Sequence, residues 1–223
     1  MKTPIVKLAF PLLALLLLAF GCQKETTEPQ NQVSQDRGLL ENLVYQLPEE
    51  PLSQAEIDGM SWMREEEKLA RDVYSISNTL WNRQVFAHIT TSEQSHMDGI
   101  GYLLEKYSLP DPITSDETGV FSDQALQSLF DSLKIASSLS LIAALETGAW
   151  IEELDILDLD EQIELADNQD ILLVYENLQK GSRNHLRAFV RNLDMEGVTY
   201  QPQLLSEERY LAIINSAQET GID

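Results

Sequence analysis

Two long amphipathic patterns in this chain carry metal-ligand residues in the middle of their apolar stripes. Between Gln84 and Tyr107, apolar residues recur at steps of three and four, which predicts a helix with one buried face. Glu93 and His96 lie on that face, and Glu152 interrupts a similar stripe in a later segment. A buried carboxylate without a partner is strongly unfavourable unless it takes up a proton. The two stripes therefore predict a cation bound in the core of a helical fold.

The first 21 residues have the composition of a cleaved secretory signal. Lys2 and Lys7 precede an apolar run from Leu8 to Phe20. This run is shorter than the roughly 20 residues that a membrane-spanning helix needs. Cys22 follows directly and is the only cysteine of the chain, so an intramolecular disulfide is impossible.

The segment from Leu18 to Cys22 resembles the lipobox of bacterial lipoproteins. The resemblance implies cleavage after Gly21 and lipidation of Cys22, which would anchor the protein to a membrane. Gln23 replaces the aspartate that retains many lipoproteins at the inner membrane. The resemblance thus favours the outer membrane, with the protein facing the periplasm or the cell surface.

The chain is strongly acidic, with a formal net charge of −22 over 223 residues. Removal of residues 1–21 would delete two lysines and no acids and bring the charge to −24. Such a surface repels phosphate backbones, which argues against nucleic-acid binding, and it attracts cations. The sequence indicates no protein partner and leaves the oligomeric state open, a homodimer included.

Composition and periodicity divide the chain into a signal (residues 1–21), a polar tether (22–50) and a folded domain (51–217). We expect one loose helical turn near Leu43 in the tether. Ser53 and Glu56 form a capping box, which predicts the start of the first long helix. Because no segment alternates with a period of two for long enough to form a strand, the fold class is all-α. The predicted helices cover about Ser53–Leu80, Gln84–Tyr107, Leu139–Leu159 and Asp170–Leu193, with shorter ones after Ser122 and over Ser206–Ala217.

The residues on these helices follow a recognisable order. Glu93 and His96 form a Glu-x-x-His pair, whose members lie one helical turn apart and can bind the same or adjacent ions. Residues 67–74 resemble the Glu-x-x-Ala-Arg-x-x-Tyr segment of rubrerythrins, and residues 144–152 are similar to the third-helix ligand segment of ferritins. With His185 on the fourth helix, the chain resembles an uncharacterised bacterial branch of the ferritin-like superfamily over about residues 53–193.

This resemblance implies a ferritin-like four-helix bundle with extra short helices. The mixed oxygen and imidazole ligands suit one or two iron or manganese ions, with zinc left open. The superfamily implies metal-dependent oxidation or peroxide handling, with a tyrosine beside the site that supplies a hydrogen bond or an electron. The implied metal ligands are Glu67, Glu93, His96, Glu152 and His185, and the implied tyrosine is Tyr74.

Helical register leaves alternatives open on two helices. On the first, helical phase alone favours Glu66, whereas the resemblance favours Glu67. On the third, phase favours Glu152 over Glu153. Asp155, one turn beyond Glu152, is expected on the surface, with a role as a metal ligand or in orienting one as the alternative.

The fourth helix departs from the superfamily pattern. Ser182 stands three residues before His185, where a glutamate is expected, so one carboxylate of the second metal position is missing. His185 alone could equally be a core histidine, and His88 falls off the apolar stripe and should be exposed. A non-enzymatic structural or interaction lipoprotein with a degenerate site is therefore the alternative.

Overall fold

The computed structural model describes residues 29–222 and, within them, seven α-helices and no strand, which confirms the all-α prediction. The helices are α1 (Pro29–Gln46), α2 (Gln54–Trp81), α3 (Gln84–Lys106), α4 (Gln124–Ser137), α5 (Leu141–Leu165), α6 (Gln169–Met195) and α7 (Glu207–Ile214). None of these seven helices is long and apolar enough to cross a bilayer. The predicted signal and Cys22 lie outside the described residues, so the lipid anchor stays a prediction.

Four long helices pack against one another in two antiparallel hairpins. Helix α2 begins at the predicted capping box and ends at Asn82, whose positive φ of 48° turns the chain directly into α3. Helices α5 and α6 form the second hairpin, and α2 packs on α5 while α3 packs on α6. Tyr74 contacts Glu152 and Trp62 contacts Asp158, which shows that α2 and α5 run antiparallel.

The segment between α3 and α5 crosses the length of the helices, because α3 and α5 run in the same direction. Glu65 of α2 accepts hydrogen bonds from the backbone N–H groups of Ser122 and Asp123, at 2.5 and 2.9 Å, and so fixes the entry to α4. Asp123 caps α4 through its side chain, one residue later than the sequence predicts. The fully buried Lys68 holds the same segment by donating to the Glu117 carbonyl at 2.9 Å.

Two apolar clusters fill the interior, and a polar layer lies between them. One cluster contains Leu69, Ile89, Ile156 and Leu186, and the other contains Met63, Ile100, Leu159 and Leu178. On α2, α3 and α6 the candidate ligands fall between the positions that contribute to the two clusters; on α5, Glu152 sits near the same boundary. The helices therefore bring these polar residues to one level of the structure.

Helix α1 is longer than the one loose helical turn expected near Leu43. It is an 18-residue helix, and its Leu40 and Val44 are buried against the rest of the protein. Lys106 at the end of α3 donates to the Val44 carbonyl at 2.9 Å, and Arg37 pairs with Asp98 at 2.9 Å. A polar composition concealed this helix, because only a few apolar residues on one face are needed to attach it.

Glu153 shows how this protein satisfies a buried carboxylate that has a structural role. Its side chain is fully buried and accepts hydrogen bonds from the Tyr200 hydroxyl and from the backbone N–H groups of residues 203–205, at 2.6 to 3.1 Å. These bonds fasten the segment before α7 to α5.

We expect Glu153→Gln to lower the free energy of unfolding by about 1–3 kcal/mol, because an amide group would turn a donor toward buried N–H groups that need an acceptor. Urea unfolding followed by circular dichroism measures this loss. The matched control is Glu164→Gln, which neutralises an exposed carboxylate on the same helix. Equal unfolding midpoints for the two variants would contradict the anchoring role of Glu153.

Candidate metal centre

All five side chains that the sequence singles out as metal ligands converge in the polar layer. Together they form the glutamate–histidine cluster: Glu67 of α2, Glu93 and His96 of α3, Glu152 of α5 and His185 of α6. The three glutamates are fully buried, and the histidines are 8% and 7% exposed. Four helices thus deliver ionisable groups to one enclosed place.

Glu93 lies at the centre and divides the cluster into two groups. Its Oε2 lies 2.8 Å from Nδ1 of His96, and its Oε1 lies 2.9 Å from Nδ1 of His185. Glu67 completes the first group, with Oε2 3.1 Å from His96 Nδ1. Glu152 completes the second, with Oε2 3.3 Å from His185 Nδ1. Each group offers one imidazole nitrogen and two carboxylate oxygens, and Glu93 is shared.

The spacing and the missing hydrogen bonds both fit a metal ion in each group. Adjacent ligands that each sit about 2.1 Å from an ion at right angles are about 3 Å apart, which matches the separations in the cluster. Both oxygens of Glu93, one oxygen each of Glu67 and Glu152, and Nδ1 of His185 are buried without a properly aligned hydrogen bond. Short contacts without hydrogen-bond alignment are what ligands around a common ion display.

Without a metal, protons must compensate the buried charges. Burial raises the pKa of Glu67 to about 7 and that of Glu152 to about 6, although the neighbouring histidines oppose the rise. Burial alone would also raise the pKa of Glu93, but the fields of His185 and His96 outweigh it and hold this pKa below its usual value. Burial disfavours charged histidine, yet the carboxylates raise the pKa of His96 well above its ordinary range and that of His185 to about 10.

The surrounding residues fix the orientation of both imidazole rings. Nε2 of His185 lies 2.9 Å from the Ser92 hydroxyl, which leaves Nδ1 directed at Glu93. The His96 ring stacks on His185 with centroids 5.3 Å apart and passes so close to Gly181 that a Cβ there would lie 2.3 Å from Nε2. Only glycine at this position of α6 leaves room for the His96 ring. Nothing in the sequence pattern indicated this need.

Tyr74 lies beside the second group, as the resemblance implies. Its hydroxyl donates to Oε1 of Glu152 at 2.6 Å, so it fixes the oxygen that does not face His185. Burial first, and then the fields of Glu152 and Glu93, raise the pKa of Tyr74 well above its usual value. The phenol thus stays protonated and acts as a hydrogen-bond donor.

The structure resolves the alternatives left by helical phase. Glu67 and Glu152 lie in the cluster, whereas Glu66 faces a different part of α5 and Glu153 binds the segment before α7. The expectation that Asp155 lies on the surface was wrong, since it is 1% exposed. Helical spacing places Asp155 one turn from Glu152 on the same face of α5. A single aspartate in a helix does not indicate from sequence alone that it is buried.

On α6 the missing carboxylate is not replaced by another ligand. The Ser182 hydroxyl donates to the Leu178 carbonyl of its own helix at 3.2 Å and does not enter the cluster. His88 is exposed, as predicted. Glu93 is therefore the one carboxylate in the described residues that touches both histidines.

We expect Gly181→Ala to destabilise the fold by about 1–3 kcal/mol, since the methyl group overlaps the His96 ring. The matched control is Gly38→Ala in α1, where an added Cβ meets no atom within 4 Å. There the substitution should be neutral or slightly stabilising, because alanine favours a helix over glycine. Thermal unfolding of the two variants measures the difference, and equal stabilities would show that the ring does not need the space.

Comparison with known proteins places this domain in a family. A family model described as "Uncharacterized protein domain (DUF2202)" matches residues 56–217. The uncharacterized protein MJ0754 of Methanocaldococcus jannaschii is 50% identical over 180 residues, which cover 81% of this chain and 97% of that protein. The crystal structure of hypothetical protein MJ0754 from Methanococcus jannaschii is similar with a TM-score of 0.76 at 51% identity, covering 78% of this chain and 99% of that chain. This chain belongs to the DUF2202 family.

Proposed function

We propose that the protein binds one or two divalent transition-metal ions, iron or manganese, in the glutamate–histidine cluster. The four long helices would then form a ferritin-like bundle around a dinuclear centre. The observation that carries this proposal is the convergence of three buried glutamates and two buried histidines in two groups that share Glu93. Cations offset the burial of three like charges that no hydrogen-bond donor in the described residues fully satisfies.

The ligand set favours iron or manganese over softer metals. It contains carboxylate oxygens and imidazoles and no thiolate, and such mixed sets suit first-row ions of intermediate softness. In this arrangement His96 and Glu67 would hold one ion, His185 and Glu152 would hold the other, and Glu93 would bridge them. Binding would displace the protons that the metal-free cluster retains.

A redox-active ion would supply electron transfer to oxygen or peroxide, so we propose metal-dependent oxidation or peroxide handling. The protein's own contribution would be ligand geometry, exclusion of water and a fixed hydrogen bond from Tyr74 to Glu152. If Cys22 is lipidated, as the resemblance to a lipobox implies, this chemistry would take place at the cell envelope. The acidic surface would help to attract the cation.

Ser182 favours a second candidate function, a structural or interaction protein that has kept the fold and lost the metal. With serine in place of glutamate, the second group lacks a carboxylate that dinuclear sites of this type usually have. In that case the protons on Glu67, Glu152 and the histidines would be the permanent partners of the cluster.

Metal analysis of the purified protein tests the proposal directly. We expect iron or manganese to bind at one or two equivalents to the native protein. Binding should fall below about 0.1 equivalent in Glu93→Gln, which alters the ligand shared by both groups, and His96→Ala should lose the ion of the first group. The control is His88→Ala, which removes an exposed histidine outside the cluster. Equal metal content in all four proteins would overturn the assignment of the cluster.

Stability against a chelator separates the two candidate functions. A metal ion present at 100 times its dissociation constant adds about 2.7 kcal/mol to the native state. Removal of the ion should therefore lower the melting temperature of the native protein and leave that of Glu93→Gln unchanged. An identical melting curve for the native protein with and without chelator would favour the structural role.

A further inference from the structure

Two buried carboxylates outside the cluster lack the partners that every comparable carboxylate has. Glu56, Glu65 and Glu153 are buried and each accepts hydrogen bonds from backbone N–H groups. Glu66 and Asp155 are each 1% exposed, and none of their four oxygens accepts an aligned hydrogen bond, although the Trp62 indole and the Asp158 carboxyl lie close to Glu66. Since a buried carboxylate without an aligned donor must take up a proton or a cation, this pair differs from the carboxylates that fasten loops to helices.

Glu66 and Asp155 lie at the interface of α2 and α5, between two contacts that define it. On one side Tyr74 donates to Glu152 at 2.6 Å, and on the other the Trp62 indole donates to Asp158 at 3.2 Å. Glu66 lies one turn after Trp62 on α2. Asp155 lies one turn from both Glu152 and Asp158 on α5, so the pair fills the stretch between the two contacts.

The mutual fields of these groups agree with that position. Burial, followed by the field of Asp158, raises the pKa of Glu66 well above its usual value. Burial, followed by the fields of Glu66 and Glu152, does the same for Asp155. Asp158 itself is only half-buried. Helical spacing orders these carboxylates along the α2–α5 interface, from the half-buried Asp158 through Glu66 and Asp155 to Glu152 of the cluster.

We propose that Glu66 and Asp155 form a transit site for a divalent cation that passes between Asp158 at the surface and the glutamate–histidine cluster. This inference rests on the proposed function and names the route by which its metal arrives. Oxygen ligands alone, without an imidazole, hold a first-row ion more weakly than the cluster does. Weak binding suits transit, because the ion must be attracted and then released inward.

The test measures the rates at which the full-length protein binds and loses Co²⁺, whose absorbance reports binding to the cluster. The variant is Glu66→Gln with Asp155→Asn, which keeps the shapes of both side chains. The matched control is Glu161→Gln with Glu164→Gln, which removes two exposed charges from α5. Circular dichroism establishes that each protein is folded.

We expect the variant to bind Co²⁺ at least about 10-fold more slowly than the control, within the range that local charge contributes to association rates. Release of Co²⁺ to excess chelator should slow as well, because a route serves both directions, while the number of bound ions stays the same. The single variant Asp158→Asn, at the surface end, should also slow both rates.

Three results would overturn the transit site. If the variant binds Co²⁺ as fast as the control does, the two carboxylates are not on the route. If the variant releases Co²⁺ faster than the control, the two carboxylates contribute only to affinity. A lower number of bound ions at unchanged rates would make them permanent ligands. Failure of the native protein to bind Co²⁺ at all would instead overturn the proposed function, and the transit site with it.

Discussion

The burial of Glu93 between two histidines and two further carboxylates is the interaction on which the rest of this structure depends. A fully buried glutamate that faces like charges is unfavourable unless cations neutralise it. Apolar clusters lie on both sides of this layer, and the carboxylates of Glu67, Glu93 and Glu152 are fully buried, so solvent does not neutralise them. Positive charge must therefore come from the histidines, from protons or from bound ions.

The protein treats its buried carboxylates in two distinct ways. Glu153 and Glu65 are saturated by backbone N–H groups and fasten loops to helices, which is a structural use of charge. Glu93 has neighbours at ligand spacing but no aligned donors, and Glu66 and Asp155 have no aligned donors either. The difference lies in hydrogen bonding and not in burial, since all five are hidden from solvent. This contrast supports the proposal of a cation site at the centre of the fold.

Much of this arrangement could be predicted from the sequence, because helical periodicity and burial are local properties. The capping box at Ser53 and the Glu93–His96 pair both follow from spacing along one helix. The choice of Glu67 over Glu66 required a family resemblance, since the two residues point to neighbouring parts of the same interface. The packing of α1 and the burial of Asp155 depend on what other helices place opposite them, and a single sequence does not contain that information.

The most direct measurement is anomalous diffraction from crystals of the protein grown with Mn²⁺ or Fe²⁺. The account predicts an anomalous peak within about 2.3 Å of a Glu93 oxygen and of Nδ1 of His96 or His185, with both positions filled if the centre is dinuclear. Crystals grown with an excess of either metal that show no anomalous peak beside Glu93 would contradict it.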